Sequence, residues 1–77
     1  MLLYVLNVER IRDEEGSVCR MYGVSGYAVD LRGIHRAAII RSLSADFGAV
    51  LRLAVDCTCG QLAPIHLYDV AEDRFFL

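Results

Sequence analysis

The apolar residues change their period at Ser44, and that switch constrains the fold more than any other feature of the chain. Before Ser44 they alternate, every second residue, over three segments. After it they recur every three to four residues. Alternation buries one face of a strand, whereas a repeat of about 3.6 buries one stripe of a helix. Three strands followed by two helices, rather than strands and helices interleaved, predict an α+β fold. The expected architecture is a three-stranded antiparallel meander with a two-helix hairpin packed on one face, forming one domain over residues 1–77.

The first strand starts at Leu2, with Leu2, Tyr4, Leu6 and Val8 on one face, and reaches to about Arg12. Asp13-Glu14-Glu15-Gly16 reads as a four-residue hairpin turn with Gly at its end. A second strand runs from Ser17 to about Tyr27, with Val18, Tyr22 and Val24 on one face; Gly23 and Gly26 inside it predict a bulge or bend. Asp30-Leu31-Arg32-Gly33 is the next turn. The third strand spans Ile34 to Leu43, with Ala38, Ile39 and Ile40 expected to be its most buried part.

Ser44 followed by Asp46 reads as a helix start, with the hydroxyl as cap. Phe47, Val50, Leu51, Ala54 and Thr58 form the expected buried stripe, with Phe47 as a core anchor, and Gly60 stops the helix. Pro64 opens the second helix at a position where its missing N–H does no harm. Leu67, Val70, Ala71 and Phe75 should face the core.

Several classes are excluded. One Pro and 56% apolar residues do not describe a disordered chain. No apolar run approaches the roughly 18 residues of a membrane helix. Met1 to Leu6 is too short for a secretion signal and has no basic residues before it, so the expected compartment is the cytoplasm, with three reduced cysteines. A net charge of −2 gives no general attraction to polyanions. All eight cations are Arg. GC-rich codon usage is the plain cause; the pointed one is a need for planar, bidentate contacts.

With the second half laid out, a resemblance emerges. Ser44-Ala45-Asp46, a Cys near the end of the first helix, and Leu62-Ala63-Pro64-Ile65-His66-Leu67-Tyr68-Asp69-Val70-Ala71-Glu72-Asp73 resemble the tail of a family of short clostridial proteins of unknown function. That tail has the pattern Leu-x-Pro-x-His-Leu-x-Asp-Val-x-Glu-Asp-Phe, and the likeness covers roughly residues 40–76. Ala63 stands where a capping Ser is common, and Arg74 precedes the final aromatics. The resemblance implies a short bacterial cytosolic protein and no particular chemistry.

Four constellations invite a function. His66, Asp69 and Asp73 share a stripe of the last helix, flanked by Glu72, and could hold a divalent metal or poise His66 as a base. The plainer reading is a solvated acidic face, or a protein contact. Cys57 and Cys59 with His66 suggest zinc, yet on a helix the two thiols point about 200° apart; Cys57 should be half-buried, and lone Cys19 reads as a small hydrophobe. Arg10, Arg12, Arg20, Arg32, Arg36 and Arg41 all lie in the sheet half, where Arg and Tyr could track a nucleic-acid backbone; cross-strand pairing with acids is the ordinary alternative. Gly23-Val24-Ser25-Gly26 lies inside a strand and is no nucleophile elbow or phosphate loop.

The sequence therefore predicts a non-enzymatic interaction module without a cofactor, with nucleic-acid binding as the alternative. Self-association is expected. A compact fold of 8.6 kDa exposes about 4,700 Å² and has almost no stability margin. Both ends of the chain are apolar. A first strand this apolar is either central or an edge that pairs with its twin. The candidate contact surface is His66, Asp69, Glu72, Asp73, Phe76 and Leu77, on a homodimer.

Overall fold

A computed structural model describes residues 1–76; Leu77 lies outside the described residues. Its order is β1 (Leu2–Arg12), β2 (Val18–Asp30), β3 (Gly33–Ser44), α1 (Phe47–Cys59), a 3₁₀ turn (Pro64–His66) and α2 (Leu67–Phe75). The strands form one antiparallel sheet in the order β1-β2-β3, and both helices lie against one face of it. The α+β expectation holds.

Local chemistry explains the turns. Asp13 Oδ1 accepts from the N–H groups of Glu15 and Ser17, and Gly16 takes the left-handed φ of 85°. Asp30 Oδ1 accepts from the Arg32 N–H, and Gly33 sits at φ 128°. Each Asp shapes its own hairpin loop and each Gly supplies the conformation that a Cβ would strain.

β1 and β2 pair without a break from Leu2↔Ala28 to Arg12↔Val18. β2 pairs β3 only from Tyr22 to Asp30, with irregularities at Tyr22/Val24 and Gly26/Tyr27 that flank the two glycines. Both glycines let a side chain of β1 lie flat across β2. A Cβ on Gly26 would stand 2.7 Å from the Tyr4 ring, and one on Gly23 only 2.0 Å from the Ile40 carbonyl oxygen. Beyond Tyr22 and Val8 the sheet narrows to a two-stranded ribbon, whose residues Arg10 to Arg20 are all exposed.

The core is one-sided. Tyr4, Val24 and Leu43 of the sheet meet Val50, Leu53, Ala54 and Cys57 of α1, with Leu67 and Ala71 of α2. Three expectations are corrected. Phe47 is no anchor: it is 50% exposed and packs edge-on against the Tyr22 ring, centroids 5.3 Å apart, because it is the first residue of α1. Leu51 points away from the sheet; the buried stripe runs from Val50 through Leu53 to Cys57. In β3 the buried residue is Leu43, not Ile39, since Ser42 adopts φ 52° in an irregular stretch that turns the following residue inward.

The caps also differ. Asp46, not Ser44, caps α1 by accepting from the Ala49 N–H, while Ser44 Oγ accepts from the Asp46 N–H. Gly60 keeps a right-handed φ of −84°, and the left-handed residue is Gln61 at φ 49°. The N–H groups of Gln61 and Leu62 donate to the Thr58 and Cys57 carbonyls, a Schellman ending displaced by one residue.

That displacement has a use. Gln61 Oε1 accepts from the Leu2 N–H and its Nε2 donates to the Leu2 carbonyl, both at 2.8 Å. Thr58 Oγ1 accepts from the Tyr4 N–H at 2.9 Å. The Tyr4 hydroxyl donates to the Leu62 carbonyl. These side chains occupy the outer edge of β1 as a fourth strand would, so the first half of β1 is an edge closed to pairing with its twin.

Candidate interaction surface

The tail stripe is solvated throughout. His66 ends the 3₁₀ turn, and Asp69, Glu72 and Asp73 lie along α2, all exposed and none in an ion pair among the described residues. No group of three or more His, Cys, Asp or Glu side chains among the described residues is arranged to hold a metal ion. Phe76, which caps α2, is 64% exposed, and the remaining candidate, Leu77, is outside the described residues.

The thiols separate as helix geometry requires. Cys57 is buried and Cys59 exposed. Burial pushes the Cys57 thiol upward, opposed in part by the Arg74 guanidinium. Arg74 donates to Asp56 Oδ2 at 2.9 Å, tying α2 to α1 beside a shallow cavity of about 140 Å³ lined by Asp56, Cys57, Gly60, Leu62, Val70 and Arg74. Small-molecule sites begin at roughly 300 Å³. Cys19, read from the sequence as a small hydrophobe, is exposed on the ribbon because β3 does not reach it.

The six arginines of the sheet half do not form one basic face. Register places Arg10, Arg12 and Arg20 on the helix side of the ribbon, with Arg10 directly opposite Arg20. Arg36, opposite Tyr27, lies on the other side, and Arg41 there approaches Glu9 Oε1 at 3.7 Å. Arg32 sits in the second turn. Asp13, Glu14 and Glu15 at the ribbon tip offset the nearest guanidinium groups.

The other face of the sheet is where structure departs most from a closed domain. No element among the described residues covers it. Val5 and Ile39 flank buried Ser25, Leu3 and Tyr27 follow on one side, and Met21 lies on the other. Val29 and Ile34 end the row, with Ile34 68% exposed. Asn7 spans the gap left by Gly23, its Nδ2 donating to Ser25 Oγ and to the Ile40 carbonyl. Its buried Oδ1 has no partner among the described residues. Toward the ribbon, Ser42 Oγ donates to Glu9 Oε2 at 3.0 Å. Sequence alternation showed the helix-side face first, because its residues are the larger and more regular set; the opposite set was legible in the same strands once their register was known.

Comparison with known proteins adds one finding. A family model described as a family of unknown function, DUF6514, matches residues 1–75, far more of the chain than the tail resemblance. No curated protein and no solved structure matches it. The chain belongs to the DUF6514 family.

Proposed function

We propose that this DUF6514 member is a non-enzymatic interaction module of the cytoplasm that acts through protein–protein contact as a homodimer. One observation carries the reading: the sheet is covered on one face only. Its exposed surface is 5397 Å², against about 4,700 Å² for a compact chain of this mass. The radius of gyration is 13.4 Å, against roughly 11.5 Å expected. A second copy supplies the missing cover.

Light scattering at micromolar concentration should return about twice the chain mass of 8.6 kDa. A single-chain mass at every concentration would overturn the dimer. The nucleic-acid alternative draws on Arg10, Arg12 and Arg20 alone, and the acidic ribbon tip weakens it. Retention on heparin that falls steeply with salt would favour it.

A further inference from the structure

We propose that the uncovered sheet face is the dimer surface, occupied by the same face of a second copy related by a two-fold axis along β2. This rests on the homodimer reading and names its geometry.

The ribbon provides the first argument. Arg10–Arg12 and Cys19–Met21 still alternate where this chain covers neither side: Ile11, Cys19 and Met21 continue the open face beside Glu9, and Arg10, Arg12 and Arg20 point the other way, with Val18 at the tip among them. An antiparallel strand alternates apolar and charged residues when one face is packed and the other wet. Here the packed side has no cover within the monomer. A partner laid along the whole face, ribbon included, restores the match between pattern and environment.

Charge selects the partner and the axis. With the two-fold along β2, β1 of one copy lies over β3 of the other. Val5 then meets Ile39 of the second copy, and Glu9 meets its Arg41; symmetry satisfies both contacts twice. An axis across the strands would instead stack β3 on β3 and bring Arg36 toward Arg41 of the second copy. The sheet edges are poor alternatives. Thr58 and Gln61 occupy the first half of the β1 edge, and β3 is broken by two irregularities and bears Arg36 and Arg41. A footprint of about 30 × 15 Å follows from strand rise and spacing. It hides on the order of 600 Å² per copy, the low end of a stable interface and close to the excess surface noted above.

The axis makes Cys19 a native reporter, because residues of β2 on this face lie opposite their own copies. Treatment of the Cys59→Ser protein with a short bismaleimide should give covalent dimer, and adding Cys19→Ser should abolish it. Ile39→Glu, at a position 39% exposed in the monomer, should convert the dimer to a folded monomer with unchanged circular dichroism. Val5→Glu on the facing strand should do the same, should Ile39→Glu fail to fold. A dimer that survives both substitutions and gives no Cys19 cross-link overturns the surface and leaves the homodimer standing. A monomer throughout overturns both.

Discussion

The two faces of the sheet are built from the same three strands and fare differently. On the helix side Tyr4, Val24 and Leu43 are 4%, 0% and 7% exposed under α1 and α2. On the other side Val5 and Ile39, two residues from comparable positions, remain more than a third exposed. Composition does not separate them, since both faces are largely apolar. The chain's exit from β3 does: the left-handed Ser42 and the bulge around it turn Leu43 inward and deliver α1 to one side. Both short helices lie on that side, and among the described residues the other face stays open. An open sheet face in a small domain is therefore a consequence of where the last strand ends.

Truncating one residue from each face should separate the two sides most. Leu53→Ala, beneath the helix-side core, should cost about 3–5 kcal/mol, enough to unfold a chain of this size. Ile39→Ala should cost about 1 kcal/mol or less in the monomer, in proportion to the smaller area it loses. Denaturant titrations giving equal losses would erase the distinction between a covered and an open face. Next in size is Gly23→Ala, whose Cβ would meet the Ile40 carbonyl and should cost about 1–3 kcal/mol by overpacking. A midpoint unchanged from wild type would show that the strands relax more easily than the register implies.

Edge protection predicts a smaller effect. Thr58→Val keeps shape and removes the acceptor for the Tyr4 N–H, so it should lose about 1–2 kcal/mol. It should also quicken aggregation, since it frees part of the β1 edge. Loss of stability without faster aggregation, or neither effect, would remove Thr58 from that role. Phe47→Ala, half exposed at the start of α1, should cost only about 1 kcal/mol; a loss as large as that of Leu53→Ala would restore it as an anchor.

The smallest effect is in pH. Burial raises the Cys57 thiol above its ordinary value of 9.0, and burial foremost, then Cys57, raises the Tyr4 hydroxyl above 10.0. Folding therefore favours the neutral forms. Their contribution is complete below the ordinary values and is lost as pH rises through the raised ones. Stability should fall from about pH 9 upward, and Cys57→Ala should flatten the first part of that fall. A profile flat to high pH in wild type would contradict the burial of both groups.

Much of this was legible in the chain. The period switch at Ser44, Asp13 and Asp30 before their glycines, and the irregularities beside Gly23 and Gly26 each follow from a local rule. So does the α2 face at Leu67 and Ala71. The rotation of α1 was not legible, because Leu51 and Leu53 both fit a stripe and only contact with Tyr4 and Val24 chooses Leu53. Nor was the candidate surface: the tail's polar residues stand at regular offsets along the chain, whereas Val5, Ile39 and Cys19 share a face only through register across three strands.

Sequence alone determined which segments are strands and helices, where they turn, and that the apolar residues exceed what one small core hides. Those are short-range matters, fixed by dihedral preferences and side-chain period. Tertiary structure decided which sheet face the helices take, that Gln61 and Thr58 close the β1 edge, and that Phe47 stays at the surface. Each depends on contacts between residues about 20 to 60 positions apart, made only when the chain reverses at Ser42 and at Gln61. Local pattern carries no record of such distances, because the same alternation serves a strand whether its second face meets water, a helix or another copy of itself.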